Sequence, residues 1–251
     1  MGYDSDSDVC VYFHVERLLD RVEIKAAAGR GGAIVWEDSH DNVWPEVVVP
    51  YEDLRLGWKG ARLGLDLELR SELPAIDHAA ALELMGLPGA ERDHYEAVGR
   101  IAGTVTVDDA TLDIGGLFWR DHTWGAREYQ QFGTSWWWPT CLDNGRAYVG
   151  GVAVEVGDRA LGYGLIADED GVGVASEVSV EVEGQATPGG YTGTTIRFTP
   201  AGREPVELRS TTHHHLCTTF PGFGVERRWN DAFSACEWGD RRGFGSIELG
   251  A

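Results

Sequence analysis

Short segments in which apolar and polar residues alternate, separated by glycines and acidic turns, run through most of this chain. In one of them, Ile101, Val105 and Val107 are spaced for one face of a strand, with Thr104 and Thr106 on the other. A period of two residues is typical of strands with one buried face, and the 34 glycines supply turns and bulges. The pattern predicts an all-β fold of antiparallel strands.

A later segment shows the same pattern with a clear turn. Residues 161–183 predict a hairpin that turns at 168–171 and is followed by a strand with Val178, Val180 and Val182 on its buried face. Serine and glutamates occupy the alternate positions, so that face is expected to meet water.

One short helix is predicted over residues 77–85, because Asp77 can cap its first turn and Gly86 followed by Pro88 would end it. The segment LPGAERD that follows interrupts the strand pattern. We therefore predict a domain division near residues 86–93, with an N-terminal β-rich domain before it, which the family resemblance given below implies is shortened. The predicted domains are residues 1–92 and residues 93–251.

The charge of the chain excludes several classes of partner. The formal net charge is −20, from 21 Lys and Arg against 41 Asp and Glu, and such a chain repels phosphate backbones and anionic bilayers. The N-terminal MGYDSDSDVC lacks the basic and apolar regions of a secretory signal, and no apolar window is long enough to span a bilayer. We expect a cytoplasmic protein that binds no nucleic acid and does not insert into membranes.

Cysteine and histidine spacing gives no metal or disulfide motif. The four cysteines are far apart and without a CxxC pair, so they are expected to be reduced thiols. In the run 213–215, strand alternation predicts that His213 and His215 share a face with Arg209, while His214 points with Leu208. Two histidines on one face could hold a metal, but no third ligand follows at a recognisable spacing. We therefore predict no metal site and read these histidines as cavity-lining or surface groups.

Common catalytic motifs are missing from the sequence. There is no GxSxG, HExxH or phosphate-binding loop, and the glycine-rich segments 29–32 and 240–250 lack a strand-to-helix context. This removes the usual hydrolase, metalloprotease and nucleotide-binding interpretations, and no cofactor is predicted.

Residues 115–140 concentrate aromatic and charged side chains, with five of the ten tryptophans of the chain. If residues 119–124 are extended, their side chains alternate between two faces. The residues predicted on one side are Arg120, His122 and Trp124, and those on the other are Trp119, Asp121 and Thr123. Either an ion-pair network involving Arg120, Asp121, Arg127 and Glu128 lies beneath a tryptophan-rich core, or the segment lines a cavity for an apolar ligand.

A second tryptophan cluster follows directly. In residues 134–138, Trp136 and Trp138 are predicted on one face and Trp137 on the other, and Pro139 ends the strand or places it at an edge. An indole has a broad apolar face and one N–H donor, which suits either a core or a pocket wall.

Two segments of the chain resemble a known family. HYEAVGRIAGTVTVDD (94–109) followed by GGLFWRDHTWGARE (115–128) resembles the signature of lipocalin-like proteins related to carotenoid 1,2-hydratase, and the closing CEWGDRRGFGSIELG resembles their final strand. The resemblance covers residues 92–250. Thr123 stands where the family usually has Ser, and Glu128-Tyr129 replaces an Asp-Trp pair.

This resemblance implies a lipocalin-like antiparallel barrel or sandwich in two β-rich domains, with a ligand pocket in or between them. Members of the family hydrate isoprenoid double bonds, or are cofactor-free cyclases, some Diels-Alderase-like, that act on polyenes. The catalytic residues we predict are Asp121, His122, Arg120, Arg127 and Tyr95. The residues we predict to bind substrate are Trp119, Trp124, Trp136, Trp138, His94, Glu96, His213 and His215.

Two mechanisms fit these residues. In a proton-initiated reaction, Asp121 would protonate an alkene and an indole such as Trp119 would stabilise the cation. In a pericyclic closure, folding the polyene would supply most of the rate enhancement, and a donor such as His122 or Tyr95 would polarise a carbonyl. We predict a cofactor-independent cyclase of a hydrophobic polyketide or terpenoid intermediate. The alternatives are a hydratase or dehydratase of an isoprenoid-like double bond, and a carrier that only binds a hydrophobic molecule.

Overall fold

In the computed structural model, the described residues are 1–17, 22–39, 46–47, 53–85, 93–124, 132–220 and 227–250. They form twenty β-strands, one α-helix and one 3-10 turn at Asp143–Gly145, which confirms the predicted all-β class. No helix among these residues has the length and apolar character needed to cross a bilayer.

The first sheet contains ten strands, and its order is β4-β3-β2-β1-β10-β9-β7-β6-β5, with β8 paired to β9. The strand pairings among its described residues are antiparallel. The strands are β1 (Gly2–Asp4), β2 (Val9–Arg17), β3 (Val22–Arg30), β4 (Ala33–Ser39), β5 (Glu46–Val47), β6 (Leu54–Lys59), β7 (Leu63–Ser71), β8 (Ile76–Asp77), β9 (Asp93–Val107) and β10 (Ala110–Trp124).

The second sheet also contains ten strands, in the order β15-β14-β13-β11-β20-β19-β18-β17-β16, with β12 paired to β13 and β20. The strands are β11 (Phe132–Trp137), β12 (Thr140–Leu142), β13 (Ala147–Val156), β14 (Arg159–Asp168), β15 (Gly171–Ala175), β16 (Val178–Gly184), β17 (Tyr191–Phe198), β18 (Val206–Phe220), β19 (Arg227–Trp238) and β20 (Arg241–Gly250). The predicted turn at 168–171 is confirmed, since Asp168 pairs with Gly171 across it.

Each sheet has its own core on one face. The first core includes Ile101, Val105 and Phe118, and the second includes Trp138, Ile196 and Leu249. Two further clusters of buried side chains contain residues of both sheets, and they lie where the opposite faces of the sheets meet. One strand can therefore place the side chains of one face in a core and those of its other face in the contact between the sheets.

The predicted helix is present as α1 (Ala79–Met85). The carboxylate of Asp77 accepts a hydrogen bond from the backbone N–H of Ala79 at 2.8 Å, as expected of a capping residue. His78 lies between the cap and the helix, and its backbone N–H donates to the carbonyl of His94 at 3.0 Å. The helix start therefore places His78 against β9.

The chain passes from the first sheet to the second between Trp124 and Phe132. Strands β9 and β10 pair with strands of the N-terminal half, so the change of sheet comes later in the chain than the division near residues 86–93. The predicted domains, 1–92 and 93–251, stay a prediction.

Candidate active site

The end of the β9–β10 hairpin divides the predicted catalytic residues between two faces. Arg120 lies opposite Ala97, and His122 lies opposite Tyr95. Alternate residues of a strand point to opposite sides, so the alternation predicted for residues 119–124 is confirmed. The residues on the side of the first core are Tyr95, Arg120, His122 and Trp124, and those on the side of the second sheet are His94, Glu96, Trp119, Asp121 and Thr123.

Three aromatic rings lie together on the first-core side, beyond the last buried residues of that core. The rings of Tyr95 and His122 are stacked with centroids 5.2 Å apart. The indole of Trp124 stands edge-on to both, at 5.1 Å from His122 and 5.9 Å from Tyr95. We call these three residues the aromatic box. Its Trp124 side chain is 44% exposed, so an apolar surface is open to a ligand.

Arg120 beside the aromatic box and His122 within it can donate hydrogen bonds to a ligand. The guanidinium carbon of Arg120 lies 5.5 Å from the centroid of the Tyr95 ring, which is a cation–π distance. The hydroxyl of Tyr95 lies 3.1 Å from Nδ1 of His122. Partial desolvation and the charge of Arg120 lower the pKa of His122, against the opposing effect of Asp121, which favours the neutral imidazole. When Tyr95 donates to Nδ1, the Nε2 proton is available to a bound carbonyl.

A buried polar cluster occupies the other side of the same hairpin. Glu96 is fully buried, and its Oε2 accepts hydrogen bonds from the indole N–H of Trp119 at 2.8 Å and the hydroxyl of Tyr148 at 2.5 Å. Its Oε1 lies 3.2 Å from Nε2 of His94 and 3.7 Å from Nε2 of His78. Tyr148 is on β13, so this cluster joins the two sheets.

The outer nitrogens of both imidazoles are also engaged. The hydroxyl of Tyr163 lies 2.7 Å from Nδ1 of His78, and Oγ1 of Thr123 lies 2.8 Å from Nδ1 of His94. Thr123 donates to a carboxylate oxygen of Asp121 at 3.2 Å. The network therefore reaches from the interior to the exposed Asp121.

Burial disfavours the charged forms of the carboxyl group and of the imidazole in this cluster. Desolvation raises the pKa of Glu96 to about 7, although His78 and the two hydrogen bonds to Oε2 oppose the shift. Desolvation lowers the pKa of His78 to about 4, against the attraction of Glu96. Both shifts follow from placing ionisable groups where water is excluded.

One group of described residues could hold a metal ion. His78, His94 and Glu96 each offer one ligand atom, and these atoms lie within 4.8 Å of one another. From the sequence, only His213 and His215 were candidate metal ligands, and no metal site was predicted.

A pair of carboxyl groups lies on the second sheet. Asp231 on β19 is directly opposite Glu248 on β20, and Ser246 donates to Asp231 at 3.3 Å. Asp231 is 4% exposed, and its burial raises its pKa to about 6; Glu248 and Ser246 oppose the shift by hydrogen bonding, and Asp121 adds to it. Two carboxyl groups in register, of which Asp231 is buried, cannot both be ionised cheaply.

The predicted tryptophans do not form one wall. Trp119 packs in the cluster between the sheets, while Trp136 and Trp138 lie in the second core. Trp137 packs against the contact between the sheets, so the alternation predicted for 134–138 is confirmed. Trp136 lines a cavity of about 380 Å³, together with apolar residues of β13, β14 and β16 and two glutamates.

The histidine run departs from simple alternation. A register shift between Thr212 and His214 places His214 opposite Phe233 and His215 opposite Ala232. The predicted grouping of His213 with His215 on the face of Arg209 is therefore wrong, because a bulge inserts one residue and reverses the pattern after it. His214 contacts Asp8, in the turn before β2, at 3.0 Å. His213 stacks on Tyr3, and His215 hydrogen-bonds to Asn230 at 3.1 Å.

The predicted site residues and the residues of the candidate site differ. Arg127 lies outside the described residues. His78, Tyr148 and Tyr163 belong to the buried cluster, but none is part of a motif. Helix-start signals locate His78, and nothing in its local sequence indicates that it meets β9 and the second sheet.

Comparison with solved structures places the fold in the lipocalin-like all-β class. A putative AttH from Nitrosomonas europaea matches with a TM-score of 0.70 at 13% identity, covering 96% of this chain and 85% of that one. Kievitone hydratase from Nectria haematococca matches with a TM-score of 0.61 at 11% identity, covering 96% and 83%. CghA in complex with Sch210972 matches with a TM-score of 0.64 at 11% identity, covering 100% and 85%.

A family profile gives the narrower assignment. The domain of unknown function DUF7064 matches residues 17–251, and the chain belongs to that family. A search of curated proteins found no significant match.

Proposed function

We propose that this protein is a cofactor-independent cyclase that folds an apolar, conjugated polyketide or terpenoid intermediate against the aromatic box and closes a ring. The aromatic box is the observation that carries the proposal. Its rings offer flat π surfaces to a conjugated chain, and Arg120 and His122 can donate hydrogen bonds to a carbonyl that activates the double bonds. A pericyclic closure of this kind gains and loses no atom, so positioning and polarisation are sufficient chemistry.

Hydration is the second candidate, and a different observation favours it. The network from Glu96 through His94 and Thr123 reaches the exposed carboxylate of Asp121, which suits transfer of a proton to an alkene carbon before water adds to its neighbour. The fold is similar to that of kievitone hydratase, which supports hydration as the second candidate. Turnover of the substrate in deuterated water separates the two: a new carbon-bound deuterium supports protonation, and its absence supports the pericyclic route.

Ligand binding by the aromatic box can be tested before the substrate is known. All-trans-retinoic acid is a conjugated polyene with a carboxylate, and its binding is measurable by quenching of tryptophan fluorescence. Trp124→Ala is expected to weaken its binding by roughly 10- to 100-fold, because an apolar contact surface is lost. Arg120→Gln should weaken binding of the acid and leave binding of the corresponding alcohol, retinol, nearly unchanged.

The matched control is Val172→Ala, which trims an exposed apolar side chain elsewhere. Equal affinities in the Trp124 and Val172 variants would contradict the assignment of the aromatic box as the ligand site.

The pH profile of turnover provides a second test. Protonated His122 cannot accept from Tyr95, so activity is expected to fall as the pH drops through the lowered pKa, below the ordinary value of 6.5. His122→Gln should lower kcat/KM by roughly 100-fold and remove that acidic limb. A limb that persists in the variant would show that another group titrates.

A further inference from the structure

We propose that His78, His94 and Glu96 bind one divalent transition-metal ion, and that zinc is the ion that this donor set suits best. Two imidazoles and a carboxylate are ordinary zinc ligands. The site lies on the reverse side of the hairpin from the aromatic box, so it goes beyond the proposed ring closure.

The spacing of the three ligand atoms fits a single ion. Oε1 of Glu96 is 3.2 Å from Nε2 of His94 and 3.7 Å from Nε2 of His78, and all three atoms lie within 4.8 Å of one another. Ligands at about 2.0–2.2 Å from a tetrahedral zinc ion are roughly 3.3–3.6 Å apart. The two separations from Oε1 of Glu96 lie close to this spacing.

Each ligand is also held by a second hydrogen-bonding group. Tyr163 contacts Nδ1 of His78 and Thr123 contacts Nδ1 of His94, which leaves both Nε2 atoms on the side of Glu96, where the hydroxyl of Tyr148 also lies 3.3 Å from Nε2 of His78. Tying the outer nitrogen of a metal-binding histidine in this way is general, because it sets the tautomer and orientation of the ring. The remaining oxygen of Glu96 is held by Trp119 and Tyr148.

The surroundings of the site favour a bound cation. His78 and Glu96 are fully buried and His94 is 6% exposed, and the ring of Trp137 packs against both imidazoles. A carboxylate taken out of water is costly unless a positive charge accompanies it. Glu96 contacts the neutral donors Trp119 and Tyr148 and two imidazoles, and a divalent ion would supply the positive charge.

A metal at this position would have a structural role. His78 precedes α1, the other two ligands are on β9, and Tyr148 and Tyr163, which hydrogen-bond to the ligands, are on the second sheet. An ion would therefore join three parts of the fold and stabilise them against unfolding, since a ligand that binds the folded state raises its stability.

The test is zinc titration of the folded, metal-stripped protein by calorimetry, with cobalt absorption spectra as a readout of tetrahedral coordination. A Cys217→Ser background removes an exposed thiol that could bind zinc. We expect one equivalent of zinc and a rise in Tm of roughly 10 °C at a thousandfold excess over Kd. His94→Gln and Glu96→Gln should each weaken binding at least 100-fold.

Thr123→Val changes a half-buried residue that touches no metal, and it should weaken binding by roughly 10- to 100-fold, because the contact that orients Nδ1 of His94 is lost. This variant decides the question if a ligand variant fails to fold. His213→Gln is the matched control and should bind as the parent does. No zinc bound by the folded parent, or equal affinity in the parent and the Thr123 and ligand variants, overturns the proposal.

Discussion

Replacing Trp138 by alanine is expected to lower the free energy of unfolding by about 3–5 kcal/mol. Trp138 is fully buried in the second core, so truncation removes a large apolar side chain and leaves a cavity among close-packed residues. Urea unfolding followed by circular dichroism measures the change.

Two other variants make this result specific. The indole N–H of Trp138 has no acceptor among the described residues, so Trp138→Phe removes an unpaired donor and should cost less than half as much as alanine. Trp124→Ala changes an exposed side chain and should alter stability by under about 1 kcal/mol. If Trp124→Ala proved the more destabilising of the two alanine variants, Trp124 would be a core residue rather than a ligand contact.

Asp231→Asn is expected to stabilise the protein by up to about 3 kcal/mol above pH 6. Burial raises the pKa of Asp231 from 3.8 to about 6, so between these values the folded state holds a proton that the unfolded state has released. Stability of the parent therefore falls as the pH rises through this window and stays lower above it. Asparagine has nearly the same shape and cannot ionise, so the variant escapes that loss.

Unfolding curves at pH 4 and pH 8 measure this effect. The difference between the variant and the parent should be small at pH 4 and large at pH 8. Asp113→Asn serves as the control, because Asp113 is an exposed carboxylate on β10 and its replacement should give no such difference. A variant that is less stable than the parent at pH 8 would show that the ionised carboxylate is compensated by its neighbours.

Local patterns were sufficient for much of the fold. The turn at 168–171, the capped helix at Ala79–Met85 and the two faces of residues 119–124 follow from short-range sequence rules, because period and capping depend on neighbours within a few residues. The histidine run shows the limit of these rules. A single bulge after Thr212 reversed the faces of the residues beyond it, and bulges leave little trace in composition.

The full set of candidate-site residues could not be predicted from the sequence alone. The stretch RDHTWG and the upstream HYE segment directed attention to the β9–β10 hairpin, and the structure separates their residues into an aromatic box and a buried polar cluster. His78, Tyr148 and Tyr163 could not be placed there, because their partners are distant in the chain and the contacts depend on how the sheets pack.

The amino-acid sequence by itself determined the strand class of this protein and, in strands without a bulge, which side chains share a face, since both depend on a period of two residues. The tertiary structure alone decided which faces meet. It set the reverse side of one hairpin against the second sheet, and it is this packing that excludes water from Glu96 and brings two histidines to one of its oxygens.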